Sequence, residues 1–454
     1  MLEKDRLKLL LAAVETLDQG FSGLPAFAEP PADFEEIADV ISVVAEKLQD
    51  NYPYFHPLYA GQMLKPPHPV AQLAYSLAQR INPNNHALDG GRASSAMEKE
   101  AVAEIAGMFG WKEHLGHLTA GGTMANLEAL WVAGQIAPGK TILASEQAHY
   151  THPRISGVLK LPFASVPCDR HGRMDAEALR NRLSRGDVGT VVATMGTTAT
   201  GSVDPLGDIL ELKERYGFRI HADAAYGGYF TLAENLEPAT RTAFDQISRV
   251  DSIVIDPHKH GLQPYGCGCI LFHDPEVGRL YKHDSPYTYF SSKKLHLGEI
   301  SLECSRPGAA AVALWATQRL LPLAKGGEFA KGLELGREAG LDFYARLRAD
   351  DRFATAFAPE LDIVVFFAQS DSIPASGALS RQIFDVAAAK NLHLAVAELP
   401  VAFFGERFAP MKPNGKLATV ACLRSVLMKA EHKQWMPQIW EILDQATNEV
   451  LHPS

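Results

Sequence analysis

Hydrophobic and polar positions follow two different periods along this chain. Near the N-terminus, Leu7, Leu10, Leu11, Val14 and Leu17 recur at helical spacing among charged residues, which predicts an amphipathic helix. Charges throughout that stretch argue against a signal peptide. Residues 22–34, rich in Pro and Ala, read as a linker to a second helix, and Pro53–Pro69 as another break. Apolar positions 97, 101, 102, 105, 108 and 109 again fit a helix. Short apolar runs then predict strands at Thr141–Ser145, Thr190–Met195, Arg219–Asp223, Ser252–Asp256 and Cys267–Phe272. Helical stretches at Met124–Ala133, Asp175–Leu183 and Leu206–Tyr216 lie between several of them. This alternation implies an α/β fold, a mostly parallel sheet with helices on both faces. Ala309–Leu321 reads as a further helix. Beyond Gly326–Gly327 come another helix, an apolar strand at Asp362–Phe367, and more of both. The expected organisation is an N-terminal helical segment (1–75), a large domain (76–325) and a small C-terminal α/β domain (326–454).

Composition narrows the class. Of 454 residues, 46% are hydrophobic and 21% charged, which suits a folded globular chain and not a disordered one. A net charge of −10 argues against nucleic-acid or anionic-membrane partners. No apolar run approaches the about 18 residues of a membrane helix. Five cysteines are no disulfide framework, and reduced thiols in a cytoplasmic protein are expected. Cys267 and Cys269 lack a second ligand pair nearby, so they predict buried thiols, and no metal is expected.

One motif misleads. Gly134, Gly139, Lys140 and Thr141 match the phosphate-cradling P-loop, and a nucleotide-binding protein is the alternative from another class. That motif needs a strand before it and a helix after it. Here a helical stretch precedes and a strand follows. Gly134 is then expected to cap a helix and Pro138–Gly139 to turn.

The informative residues are Lys259, Asp223, His149 and the run Thr119–Thr123. Singly, each has a simpler explanation: a solvated lysine, a helix-capping aspartate, a capping or core histidine, a turn. Together they fit one cofactor. Asp223 and Lys259 follow adjacent predicted strands, and ligands of parallel sheets bind at C-terminal strand ends. Thr119–Thr123 opens a helix whose first N–H groups suit a phosphate, with the Thr123 hydroxyl as a further donor. An amine, a carboxylate and a phosphate cup are what pyridoxal 5'-phosphate requires. A carboxylate near the ring nitrogen favours its protonated form. Ala225 is small enough to lie under the ring, and His149 can stack on it.

At this point the chain resembles the group II pyridoxal-phosphate-dependent amino-acid decarboxylases, which include the aromatic amino-acid, tyrosine and glutamate decarboxylases. The matching stretches are HLTAGGTMANLEAL (117–130), SEQAHYTHPRISGVLKL (145–161), ATMGTTATGSVDPL (193–206), HADAAYGGY (221–229) and DPHKHG (256–261). CSRPGAAAVALW (304–315) and ACLRSVLMK (421–429) match more loosely. The resemblance implies fold type I, the aspartate-aminotransferase type with a seven-stranded sheet, and a homodimer. It makes Lys259 the lysine that carries the cofactor, with His258 beside it. Asp223 becomes the partner of the pyridine nitrogen, Ala225 the residue under the ring and His149 the stacking residue. Gly122, Thr123 and Thr198 fall at phosphate-site positions. Asp256 stands where many members have Asn, and its role is open. Arg424 falls where some members meet a substrate carboxylate; an ordinary salt bridge is its alternative. His86, in a turn-rich segment, would line the substrate pocket. Arg306 would lie near the entrance or the dimer interface, or serve a salt bridge. The family's loop with a catalytic tyrosine falls shortly before Cys304, where Tyr287, Tyr289 and His296 are the candidate proton donors.

The implied activity is decarboxylation of an L-amino acid to its amine and CO₂, with an aromatic substrate such as tyrosine or DOPA leading. Acidic substrates, a carbon–carbon lyase and an aminotransferase are alternatives on the same cofactor. Which bond breaks depends on which is held perpendicular to the ring, and pocket geometry sets that.

Overall fold

The computed structural model of the protein describes residues 4–27, 31–87, 89–282, 297–405 and 419–452. The larger sheet comprises β1 Leu115–Thr119, β2 Thr141–Ser145, β3 Phe163–Val166, β4 Val188–Thr194, β5 Arg219–Asp223, β6 Ser252–Ile255 and β7 Gly268–Phe272. Their spatial order is β1-β7-β6-β5-β4-β2-β3. Strands β3, β2, β4, β5 and β6 pair in parallel, and β7 runs antiparallel between β6 and β1. Val191, Val192, Ala193, Ile220 and Ala222 in the central strands are fully buried. Cover on both faces explains why these strands read as unbroken apolar runs.

Five of the seven strands fall on the predicted runs, two of them end to end and three with ends differing by one or two residues. β1 and β3 lie outside them, for separate reasons. β1 is interrupted by His117, a polar residue made tolerable inside by an Nε2 contact to Glu128 Oε2 at 2.9 Å. β3 has only four residues and depends on its register with β2. Gly134 corrects another expectation. It sits inside the helix Gly122–Ile136, which Ala137 ends, and a Cβ there would lie 2.5 Å from Leu161 Cδ2. The helix still precedes β2, so the P-loop order is reversed. Cys267 and Cys269 are buried, and burial pushes both thiols up.

The smaller sheet joins β8 Phe353–Thr355, β9 Ile363–Ala368, β10 Ala395–Pro400 and β11 Thr419–Val426 in the order β10-β11-β9-β8. All its pairs are antiparallel. Helices Glu328–Arg348, Ile373–Ala389 and His432–Leu451 contribute Phe343, Ile383, Ile439 and Leu443 to its apolar core.

Both N-terminal helices form, at Lys4–Gln19 and Phe34–Leu48. Asp33 caps the second by accepting from the N–H groups of Glu35 at 3.0 Å and Glu36 at 3.1 Å. Its apolar positions Ile37, Val40, Ile41, Val44 and Leu48 are all exposed. Among the described residues, no helix is long and apolar enough to cross a membrane.

One buried hub fixes the start of the large sheet. Glu98 accepts from Arg306 Nη1 at 2.6 Å, Asn85 Nδ2 at 2.6 Å and the Leu118 N–H at 2.9 Å. Arg306 also donates to the Leu118 carbonyl at 2.6 Å. The hub ties β1 to segments far away in sequence. Arg306→Met would leave the Glu98 carboxylate buried without its cation. We expect a loss of about 3–5 kcal/mol, read as a lower urea midpoint at unchanged slope.

Candidate active site

The parallel strands end together, and the site is built on those ends. Thr194 of β4 is in register with Asp223 of β5, which is in register with Val254 of β6. Two residues beyond Val254 comes Asp256, and a tight turn, with the Lys259 N–H bonded to the Asp256 carbonyl at 2.9 Å, presents Lys259. From the other side, the helix Gly122–Ile136 begins directly after β1. The connection after β2 supplies His149. A cavity of 540 Å³ lies between them. Gly122, Thr123, His149 and Thr198 line it, as do Asp223, Ala225, His258 and Lys259. All eight residues expected at a cofactor thus meet around one space, and three tyrosines, Tyr150, Tyr226 and Tyr265, join them.

Asp223 is buried, with both carboxylate oxygens engaged. Oδ1 accepts from the Ala225 N–H at 3.2 Å and Oδ2 from His152 Nε2 at 2.7 Å. Burial alone would raise its carboxyl, but the His152 hydrogen bond, aided by the proximity of His152, His221 and Lys259, holds it below the usual carboxylate range. Nearby His221 is pushed down to about 3 by burial, so it is neutral, bonded to Asn126 Oδ1 at 2.8 Å and Ser252 Oγ at 2.9 Å. Burial also lowers His149, against the opposing pull of Asp223. Its Nδ1 lies 2.5 Å from the Thr151 hydroxyl and 3.2 Å from the Thr151 backbone nitrogen, so Thr151 fixes the ring.

Lys259 Nζ lies 3.0 Å from Asp256 Oδ2. Asp256 is itself buried, and its Oδ1 has no partner among the described residues. Its carboxylate packs against the first turn of the helix Gly122–Ile136. A Cβ on Gly122 would come within 2.6 Å of Oδ2, so only glycine fits. Gly227 answers a similar demand, since a Cβ there would lie 2.0 Å from the Met195 carbonyl oxygen. That close approach packs the turn after β4, which carries Thr198, against the turn after β5. His258 is anchored by Nδ1 donating to the Cys267 carbonyl at 2.8 Å.

The structure does not bring every expected residue to the cavity wall. Arg306 is committed to the Glu98 hub, so of its expected places the salt bridge is the one found. His86 lies in the turn before that hub, its carbonyl accepting the Gly298 N–H at 3.0 Å. Arg424, on β11, is buried and donates from Nη1 to the Gly61 carbonyl at 3.2 Å and Gln62 Oε1 at 3.3 Å. Its Nε and Nη2 have no hydrogen-bond partner among the described residues, so the ordinary salt bridge given as its alternative does not form there. Tyr287, Tyr289 and His296 lie outside the described residues. Conversely, sequence reading missed His152. Its signal was a second histidine three residues after His149, one helical turn on.

The residues fit pyridoxal phosphate: an amine and a carboxylate on adjacent strand ends, a helix start opposite, and room for both cofactor and substrate. Comparison with known proteins agrees. Residues 129–369, more than half of the chain, match the model of the pyridoxal-dependent decarboxylase conserved domain. An L-tyrosine decarboxylase of Enterococcus faecium is 28% identical over 410 residues, 66% of this chain and 67% of that one. A probable L-tyrosine/L-aspartate decarboxylase of Methanothermobacter thermautotrophicus is 30% identical over 262 residues, covering 57% of this chain and 70% of that one. The solved structure of Oryza sativa TDC with PLP and tryptamine shares the fold at a TM-score of 0.77 and 19% identity, over 99% of both chains. The chain belongs to the pyridoxal-dependent decarboxylase family, and is a pyridoxal-phosphate-dependent amino-acid decarboxylase.

Proposed function

We propose that this decarboxylase acts on an aromatic L-amino acid, with tyrosine or DOPA leading, and works as a cytoplasmic homodimer. The observation that carries the substrate reading is the character of the cavity wall. Tyr150, Tyr226 and Tyr265 line it with His149 and His258, and Lys259 is its one lysine or arginine among the described residues. Asp223 and Asp256 add two carboxylates. Flat apolar rings suit such a wall, whereas a second substrate carboxylate would face repulsion. The Enterococcus faecium relative named for tyrosine alone supports the same choice, while the Methanothermobacter relative is named for tyrosine and aspartate alike.

Pyridoxal phosphate supplies an electron sink for the substrate's α carbon. In this reading Lys259 carries the cofactor, and Asp256 holds the lysine ammonium until then. Asp223 would favour protonation of the ring nitrogen. Ala225 and His149 would pack against the ring. Gly122, Thr123 and Thr198 receive the phosphate, with His258 beside them. The acid that returns a proton to the α carbon is assigned to Tyr287, Tyr289 or His296 on the family resemblance alone. All five cysteines are free, which suits a reducing compartment.

Arg424 gives an aspartate- or glutamate-directed reading one specific support. It has unspent donors, and a buried guanidinium with free N–H groups suits a carboxylate.

Borohydride reduction of the yellow protein should fix the phosphopyridoxyl group to Lys259, read by peptide mapping, and Lys259→Ala should retain none. Labelling of another lysine would reject that assignment.

Incubation with the twenty amino acids and DOPA, with CO₂ and amine read by mass spectrometry, should give the highest kcat/KM for an aromatic substrate. Arg424→Ala separates the two readings. A higher KM confined to acidic substrates, with those turned over best by the parent protein, would favour the acidic one.

The exposed stripe Ile37, Val40, Ile41, Val44 and Leu48 supports the dimer, because an amphipathic helix needs cover for its apolar face. Light scattering should give twice the 49.4 kDa chain mass, and Ile37→Glu with Ile41→Glu should shift it towards the monomer.

A further inference from the structure

His152 is not part of the wall of the cavity, yet it makes the shortest hydrogen bond to Asp223, Nε2 to Oδ2 at 2.7 Å. Both groups are buried, His152 completely and Asp223 to within a few per cent. A carboxylate only accepts, so Nε2 carries the hydrogen and donates it whenever Asp223 is ionised. The other oxygen is held by the Ala225 backbone N–H at 3.2 Å. These two donors come from different directions, one from the helix Thr151–Val158 and one from the turn after β5. They fix the plane of the carboxylate with its remaining lone pairs free for the cavity.

Burial works against this arrangement. A desolvated carboxyl with one backbone donor tends to take up a proton, and a neutral acid cannot hold a ring nitrogen protonated. His152 is the side chain that opposes this. The titratable groups around Asp223 are His152 and His149 from the β2 side, His221 below on β5, and Lys259 across the cavity. Of these His152 alone bonds to the carboxylate.

We propose that His152 is a positioning residue that keeps Asp223 ionised and turned towards the cavity, acting on the reaction through that carboxylate alone. This rests on the assignment of Asp223 as the partner of the pyridine nitrogen. A local signature accompanies it: His152 Nδ1 has no hydrogen-bond partner among the described residues, so the ring is tied into the structure by its contact with Asp223.

The test compares four cofactor-loaded proteins: the parent, His152→Phe, His152→Gln and Asp223→Asn. Absorbance of the bound cofactor is followed from pH 6 to 9, together with kcat and melting temperature. Phenylalanine fills the space without a donor, and glutamine restores one. His152→Phe should move the pH dependence of the spectrum in the direction of Asp223→Asn and lower kcat by at least about tenfold, the value of one pH unit of lost bias. His152→Gln should recover most of both. A His152→Phe protein with the parent's spectrum and kcat, beside an Asp223→Asn protein that has lost them, overturns the proposal and leaves the role of Asp223 intact. Equal losses in Phe and Gln variants with equally lowered melting temperatures also overturn it, as a packing effect. An Asp223→Asn protein with the parent's spectrum and kcat overturns the underlying assignment instead.

Discussion

A carboxylate kept charged inside the protein is the constraint on which this site depends. Asp223 ends the central strand β5, where both faces of the sheet are covered and water is scarce. An uncompensated charge there would cost several kcal/mol. The chain meets that cost with two hydrogen bonds of different origin, one from the Ala225 backbone and one from His152. It surrounds the pair with groups that stay neutral, of which His221 is the clearest. The result is a negative charge held at a defined orientation at the end of β5.

The opposite wall has its own electrostatic arrangement. Asp256 sits against the start of the helix Gly122–Ile136 and beside the Lys259 amine. A helix N-terminus favours negative charge, and so does an ammonium group. The Asp256 side chain packs against Gly122 and pairs with the Lys259 amine at 3.0 Å, beside the first turn and not across it. Gly122 lets it come so close, and Gly227 does the same for the turns after β4 and β5. Small residues here serve close approach. They let three separate connections converge on a cavity of 540 Å³.

Behind this wall, the small sheet contributes in a less direct way. Tyr226 lines the cavity and donates from its hydroxyl to Asp362 Oδ1 at 2.5 Å, at the edge of β9. Burial pushes Asp362 up to about 6. Arg424 on β11 lies within electrostatic reach of both. The two sheets are thus coupled through polar side chains as well as apolar packing. A change in the C-terminal part of the chain can reach the cavity through Tyr226.

Much of this was legible in the sequence, and for a physical reason. Strands buried on both faces must be apolar throughout, so β2, β4, β5, β6 and β7 announced themselves. Residues that follow such strands in a parallel sheet share one edge, and that placed Asp223 and Lys259 together. The helix start after Thr119–Thr123 was likewise local. His152, Asp256 and Arg306 were different. Each is a polar side chain whose meaning lies in a partner far along the chain: Asp223 for His152, the first helical turn at Gly122 for Asp256, Glu98 for Arg306. No period or spacing encodes such a pairing. β1 was hidden for the same reason, since its buried His117 is acceptable only because Glu128 folds against it. The sequence by itself determined which residues could do the chemistry, because that follows from their type and their place at strand ends. Only the tertiary structure decided which charges survive burial, because that depends on donors that folding brings within hydrogen-bond reach.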